Sequence, residues 1–261
     1  MNPLPDATLT LEQKIWRYMD LTKFVLMVSR RSLFFACLTQ LDDPFEGFMP
    51  RSHTKALADV LEKQFFQPMA DLRSHFAEKS QAHASALDRV LGDTRERVSY
   101  RKIRSRFGVN CWHANDYESE AMWKLYSALG SGIAIESSVE QLRDVLTPTE
   151  GTNIGRVRYE DFDSAEIVKG YSSYFLMSKR PAFAHEHEVR ATISLPEPGK
   201  GVEVSCDLNR LISRVYVAPG APAIFTEVVS QLCSGIIHGQ QFSVVKSSLN
   251  DSPDYDIMMP A

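Results

Sequence analysis

The residues best suited to chemistry lie in HEHEVRATISL, residues His185 to Leu195. A period of two places His187, Val189, Ala191, Ile193 and Leu195 on one face of a strand and Glu186, Glu188, Arg190 and Thr192 on the other. Same-face side chains on a strand stand roughly 7 Å apart, so Glu186, Glu188 and Arg190 can converge on one ligand from a rigid support. Arg190 favours the ionised form of Glu188, while the two carboxylates disfavour each other's charge. The plainer reading of the same pattern is the wet face of a sheet.

Three further segments carry chemistry-bearing side chains. In NCWHANDYESEAMWKLY, Trp112 and Trp123 flank a polar loop of His113, Asn115, Asp116, Tyr117 and Glu118, and a following helix puts Met122 and Tyr126 on one face. Large flat rings beside polar groups suit a planar heterocycle, and they also suit an ordinary core. In WRYMDLTKF, Arg17 and Tyr18 end a strand just before a helix, where a guanidinium and the helix start can bind phosphate or ribose oxygens; the plain reading is a surface Arg beside a buried Tyr. In DDPFEG, the acids Asp42, Asp43 and Glu46 are candidate cation ligands, but acidic turns are frequent and no dispersed ligand set accompanies them, so no metal is expected.

The elements that must position these residues follow from local patterns. Lys14 to Tyr18 reads as a strand, Thr22 caps a helix through Phe24, Val25 and Val28, and Arg30 and Arg31 sit at its cation-favouring end. A second strand, Leu33 to Leu38, ends in a turn enforced by Asp42, Asp43, Pro44 and Gly47. From 52 to 106 the pattern is helical, with Leu57, Val60, Leu61, Phe65 and Phe66 on one face and breaks expected near Pro68 and Gly92. Beyond it, strands are expected at 107–111, 132–136, 156–159, 186–195, 202–206, 214–217 and 242–245. Helices are expected at 119–127, around Leu142 to Leu146 behind a Ser137/Glu140 capping box, and at 224–233. The sum is one α+β domain over 1–261 with a helical insertion at 52–106.

Composition narrows the classes. With 261 residues, 44% apolar and 24% charged, the chain can bury a full core. A formal charge of −4 gives no general pull on nucleic acid or anionic lipid. Locally, Arg89, Arg95, Arg97, Arg101, Lys102, Arg104 and Arg106 form a basic stretch that is either a solvated helix face or a phosphate contact for nucleic acid. No apolar run approaches a membrane span, and MNPLPDATLTLEQKIW lacks a basic n-region and an apolar h-region, so a cytoplasmic protein with no membrane partner is expected. Cys37, Cys111, Cys206 and Cys233 are widely spaced and read as reduced core residues.

Taken in order, WRYMDLTKF, LFFACLTQLDDPFEG, CWHANDYESEAMWKLYSALGSGIAIES and KRPAFAHEHEVRA resemble the bacterial domain of unknown function 2971, over about residues 14 to 250. The insertion has no counterpart in that pattern. The family is in turn similar to the ADP-ribosyltransferase fold, which implies a mixed, mostly antiparallel split sheet and NAD as substrate. By that resemblance Arg17 and Tyr18 contact the adenylyl ribose and phosphate, Cys111 and Trp112 stand where such enzymes usually offer Ser or Thr, and an aromatic residue stacks on nicotinamide; Trp123 and Tyr126 are the further cofactor-binding candidates of the aromatic segment. Glu188 then binds the nicotinamide ribose, Glu186 orients the acceptor or takes its proton, and Arg190 holds the pair in register. The acceptor is left open among a protein, a nucleic acid and a small molecule, and bacterial relatives of this kind include toxins and anti-phage effectors. Two other classes fit the residues: a metal-dependent nuclease using Asp42, Asp43, Glu186 and Glu188, and a catalytically silent nucleotide-binding module.

Overall fold

The structure is a computed structural model that describes residues 9–77, 79–97, 99–126, 131–147, 149–164, 174–234 and 242–251. Its frame is a nine-stranded mixed sheet among the described residues, in which every ladder but one is antiparallel. Strand β1 (Lys14–Asp20) pairs along its whole length with β4 (Gly132–Ser138), from Lys14 opposite Ser138 to Asp20 opposite Gly132. Beyond β4 lies β10 (Arg214–Val217), and β11 (Val244–Lys246) closes that side as the parallel partner of β10.

The other half is organised by β3 (Phe107–Ala114). One edge of β3 runs against β8 (Glu188–Ser194) from Phe107 opposite Ser194 to His113 opposite Glu188, and β5 (Asn153–Arg156) lies beyond β8. Its other edge is shared. β1 meets it only at Ile15 opposite Ala114 and Trp16 opposite His113, while β2 (Ser32–Cys37) meets it only at Ala36 opposite Val109 and Cys37 opposite Gly108. Strand β9 (Val202–Ser205) covers the far edge of β2. Past Trp16, therefore, β1 leaves β3 and the sheet splits.

Helix α1 (Leu21–Arg30) starts at that split. Its N-cap is Asp20, whose carboxylate accepts from the Lys23 amide at 2.8 Å, rather than Thr22; both residues can cap, and Asp20 is the one where extended backbone meets helix. Arg31 closes the helix in the left-handed conformation. Phe24, Met27 and Val28 sink into a core shared with Ile15, Ile133, Ile135 and Leu142, and each such side chain contributes about 1.5–3 kcal/mol of burial. Helix α7 (Val139–Leu146) is capped by Ser138, one residue later than the Ser137 pattern implies, because the Ser137 hydroxyl is taken by the Leu211 carbonyl at 2.6 Å.

Between β2 and β3 run the helices α2 (Arg51–Leu61), α3 (Gln67–Ala77), α4 (Gln81–Arg97) and α5 (Tyr100–Arg104). The breaks fall elsewhere than expected. Pro68 sits in the first turn of α3, behind a π-helical turn at Glu62–Phe66, and Gly92 lies inside α4; the chain reverses instead around Lys79 and Ser80. Remaining elements are α6 (Glu120–Tyr126), the short strands β6 (Arg158–Tyr159) and β7 (Ser178–Lys179), α8 (Leu208–Leu211) and α9 (Ala223–Cys233). Ser127, the expected end of α6, lies outside the described residues. No helix among the described residues is long and apolar enough to cross a membrane.

Candidate functional site

Where β1 parts from β3 a cleft of about 630 Å³ opens, bordered by Arg17 and Tyr18 of β1, Met27 and Arg30 of α1, and Val109, Cys111 and His113 of β3. Glu186 and Glu188 stand at one end of it. The cleft follows from the ladder: between Val109, which still pairs with Ala36 of β2, and His113, which still pairs with Trp16 of β1, β3 has no partner on that edge.

The carboxylate pair does not alternate along one strand. β8 begins at Glu188; Glu186 ends a 3-10 turn, Pro181–Glu186, and His187 between them is exposed with φ of 40°, a left-handed residue that reverses the chain. His187 is thus outside the core face on which period-two reading puts it. The face carrying Glu188, Arg190 and Thr192 is dry rather than wet, with Arg190 wholly buried. Such a charge needs anions, and it has two. Arg190 donates from Nε to Glu188 Oε1 at 2.7 Å and from Nη2 to Oε2 at 2.9 Å, while Nη1 reaches Glu46 Oε2 at 3.1 Å and the Leu176 carbonyl at 2.8 Å. Lys179 adds a second buried cation, its Nζ lying 3.0 Å from Glu46, 3.2 Å from Glu188 and 2.5 Å from Glu186. Three carboxylates therefore share two cations.

Glu46 reaches this cluster because the DDPFEG turn is clamped. Gly47 has φ of 74°, and a Cβ there would lie 2.9 Å from both Arg104 Cγ and Leu38 Cδ1, so only glycine fits without displacing them. Arg104 donates to the Pro44 and Leu38 carbonyls. Asp43 accepts from Arg180 at 2.7 Å, and Arg180 stacks on Phe45 at 4.3 Å. The acids of this turn are bound to cationic side chains, and only Asp42 remains at the cleft rim. Of the four carboxylates of the nuclease reading, Glu186 and Glu188 share Lys179, while Asp43 is engaged by Arg180. No group of three or more His, Cys, Asp or Glu among the described residues is arranged to hold a metal.

Environment sets the two glutamates apart. Burial works to raise the Glu188 carboxyl, but Arg190 and Lys179 outweigh it, aided by hydrogen bonds from Arg190 and the Cys111 thiol, and hold it well below the ordinary range. Glu186 has one cation, Lys179, against burial and the charges of Glu188 and Glu46, and it is pushed up. The Cys111 thiol, desolvated beside Glu188, is also pushed up and stays protonated, which makes it a hydrogen-bond donor rather than a nucleophile.

The remaining predicted residues divide. Arg17 spans the cleft from β1, donating to the Cys111 carbonyl at 3.0 Å with its guanidinium 5.9 Å from the Trp112 ring; burial lowers its pKa, opposed by nearby Cys111, Tyr126 and Glu188. Trp112 borders the cleft with its indole N–H bound to Asn110 at 2.7 Å. Tyr126 is 42% exposed at the cleft, and desolvation of its hydroxyl among Glu186, Cys111 and Glu188 pushes it up to about 12. Tyr18 lines the cleft edge, and its hydroxyl accepts from the Ser119 amide at 2.8 Å. Trp123 is a correction: it is buried behind Tyr18, ring edge to face at 5.0 Å, with its N–H on Glu118, and it belongs to the core rather than the cleft wall.

His113 is not a loop residue. It sits buried in β3 and donates from Nδ1 to the Glu186 carbonyl, which can only accept; burial lowers its pKa, so it is neutral, and Nε2 has no partner. Of the basic stretch, Arg95 stacks over Phe66 at 5.0 Å and Arg104 holds the turn. Sequence reasoning misses two residues altogether. Lys179 lies on a two-residue strand with no periodic signal, and Tyr159, on the equally short β6, accepts from the Glu188 amide at 2.7 Å.

Fold and site together define an α+β domain whose split sheet holds a buried carboxylate and cation cluster at one end of a cleft. No protein-family description, curated protein or solved structure matches the chain.

Proposed function

We propose that the chain is an NAD-consuming enzyme of the ADP-ribosyltransferase type, within the domain of unknown function 2971 that its motifs resemble. The observation that carries this reading is the ionised Glu188, fixed by Arg190 and Lys179 at the end of a cleft that Arg17 enters from the opposite strand. Cleaving the bond between ribose and nicotinamide sends its electron pair to the ring nitrogen and leaves positive charge on the sugar. A preorganised carboxylate beside that sugar opposes the charge as it forms. Arg17, near Glu188 and bound to the Cys111 carbonyl, supplies a cation for a phosphate or ribose oxygen. Glu186, raised and bound by one cation only, takes the proton of the acceptor nucleophile as it attacks the sugar.

Two measurements test the proposal. Purified protein should release nicotinamide from NAD, read by chromatography. Arg17→Met, which keeps the stem and removes the charge, should weaken NAD binding roughly 10- to 100-fold by calorimetry, the range for a hydrogen bond to a charged group. A wild type that neither binds NAD nor releases nicotinamide overturns the proposal.

A further inference from the structure

The two glutamates receive unequal support. Glu188, 3% exposed at its side chain, takes contacts from both Arg190 and Lys179; Glu186, 18% exposed, has Lys179 alone. Glu46, whose side chain is 2% exposed, lies within 3.1 Å of both cations. Without it, Arg190 and Lys179 would crowd on Glu188 with their mutual repulsion uncompensated.

We infer that Lys179 and Glu46 are positioning residues for the reaction at this cleft: Glu46 seats both cations on the inner carboxylate, Glu188, while Lys179 alone tethers the outer one, Glu186, leaving it free to exchange a proton with a ligand. The inference rests on the reading of this site as catalytic. It gives DPFEG a purpose that its sequence as an acidic turn conceals, since the turn delivers the counter-ion of the site from more than a hundred residues upstream. The opposed directions of the two carboxyls agree with the geometry. Charged and titratable groups facing Glu186 are Lys179 from β7, Glu188 from β8, Glu46 from the turn, Tyr126 from α6 and Tyr159 from β6. His113 of β3 binds its carbonyl, and His185 and His187 flank it in the chain.

The sign of each effect follows. Lys179→Met removes the cation that favours the Glu186 anion, so the Glu186 midpoint rises, by roughly 1–3 pH units for a charge this close. Glu46→Gln removes an anion that disfavours it, so the midpoint falls. A merely structural role gives no such opposition. The experiment is a carbon-13 NMR titration of carboxyl-labelled glutamate in the full chain, with the Glu186 signal identified by its absence in Glu186→Gln. Opposite shifts, with Lys179→Arg near wild type, are the expected result. Unmoved midpoints, or shifts of the same sign, overturn the inference. If Lys179→Met does not fold, the isosteric Glu46→Gln decides by sign alone: a fall supports the inference and a rise or no change overturns it. Nicotinamide release measured on the same samples separates the two claims, because the titration reads the cluster whether or not NAD is the substrate.

Discussion

Arg190→Met is expected to lower stability by about 3–5 kcal/mol, the cost of removing one partner from a buried ion pair. Arg190 is wholly buried, and its guanidinium satisfies Glu188 twice, Glu46 and the Leu176 carbonyl, so methionine leaves Glu46, Glu186 and Glu188 with Lys179 as their one cation. For a chain of this size the melting temperature should fall by roughly 6–20 °C, read by circular dichroism. Adding Glu46→Gln and Glu188→Gln to the same chain should restore part of the loss, because the penalty lies in the stranded charges rather than in the missing packing. The pH dependence has a definite sign. Glu188 has a depressed folded pKa, so its contribution is present above the ordinary carboxylate range and is lost as pH falls through the lower folded value. That acid-side loss should flatten in Arg190→Met. A stability change under about 1 kcal/mol would mean that the cluster is not what holds β8, β7 and the DPFEG turn together.

Glu188→Gln should cost on the order of 10²- to 10³-fold in the rate of nicotinamide release, the usual effect of deleting one preorganised electrostatic group. The amide keeps the shape and one acceptor oxygen but loses the charge that opposes the developing ribosyl cation. Because that charge matters most in the transition state, kcat should fall far more than the NAD dissociation constant rises. The variant retains Glu46 as a partner for Arg190 and Lys179, which limits the structural damage. Equal turnover in wild type and variant would remove Glu188 from the mechanism.

Much of the architecture is legible in local pattern, because amphipathic periodicity and turn residues are set by neighbours in the chain. The strands about Lys14 to Tyr18, Gly132 to Glu136 and Arg214 to Val217, and the helix ending at Cys233, all lie where that pattern puts them. Errors arise where one local rule has two candidate executors. Asp20 and Thr22 can both cap α1, and Ser138 replaces Ser137 because a tertiary hydrogen bond claims the earlier hydroxyl. The site is harder. Glu188 and Arg190 are identifiable as a pair, but the left-handed His187 that takes Glu186 off the strand leaves no trace in a period-two pattern. Burial of the charged face is equally invisible, since it depends on Glu46 and Lys179 arriving from other elements. Trp123 fails for the same reason in reverse: an aromatic near polar residues reads as a wall, and only the packing of Tyr18 against it shows a core residue.

A crystal structure of Glu188→Gln grown with NAD decides whether this cleft is the NAD site, since the slowed variant preserves the dinucleotide. NAD is expected along the cleft, with a phosphate or ribose oxygen at Arg17 and the nicotinamide ribose within hydrogen-bonding distance of the side chain at position 188. NAD bound away from the cleft, or a cleft left empty at saturating NAD, would contradict it.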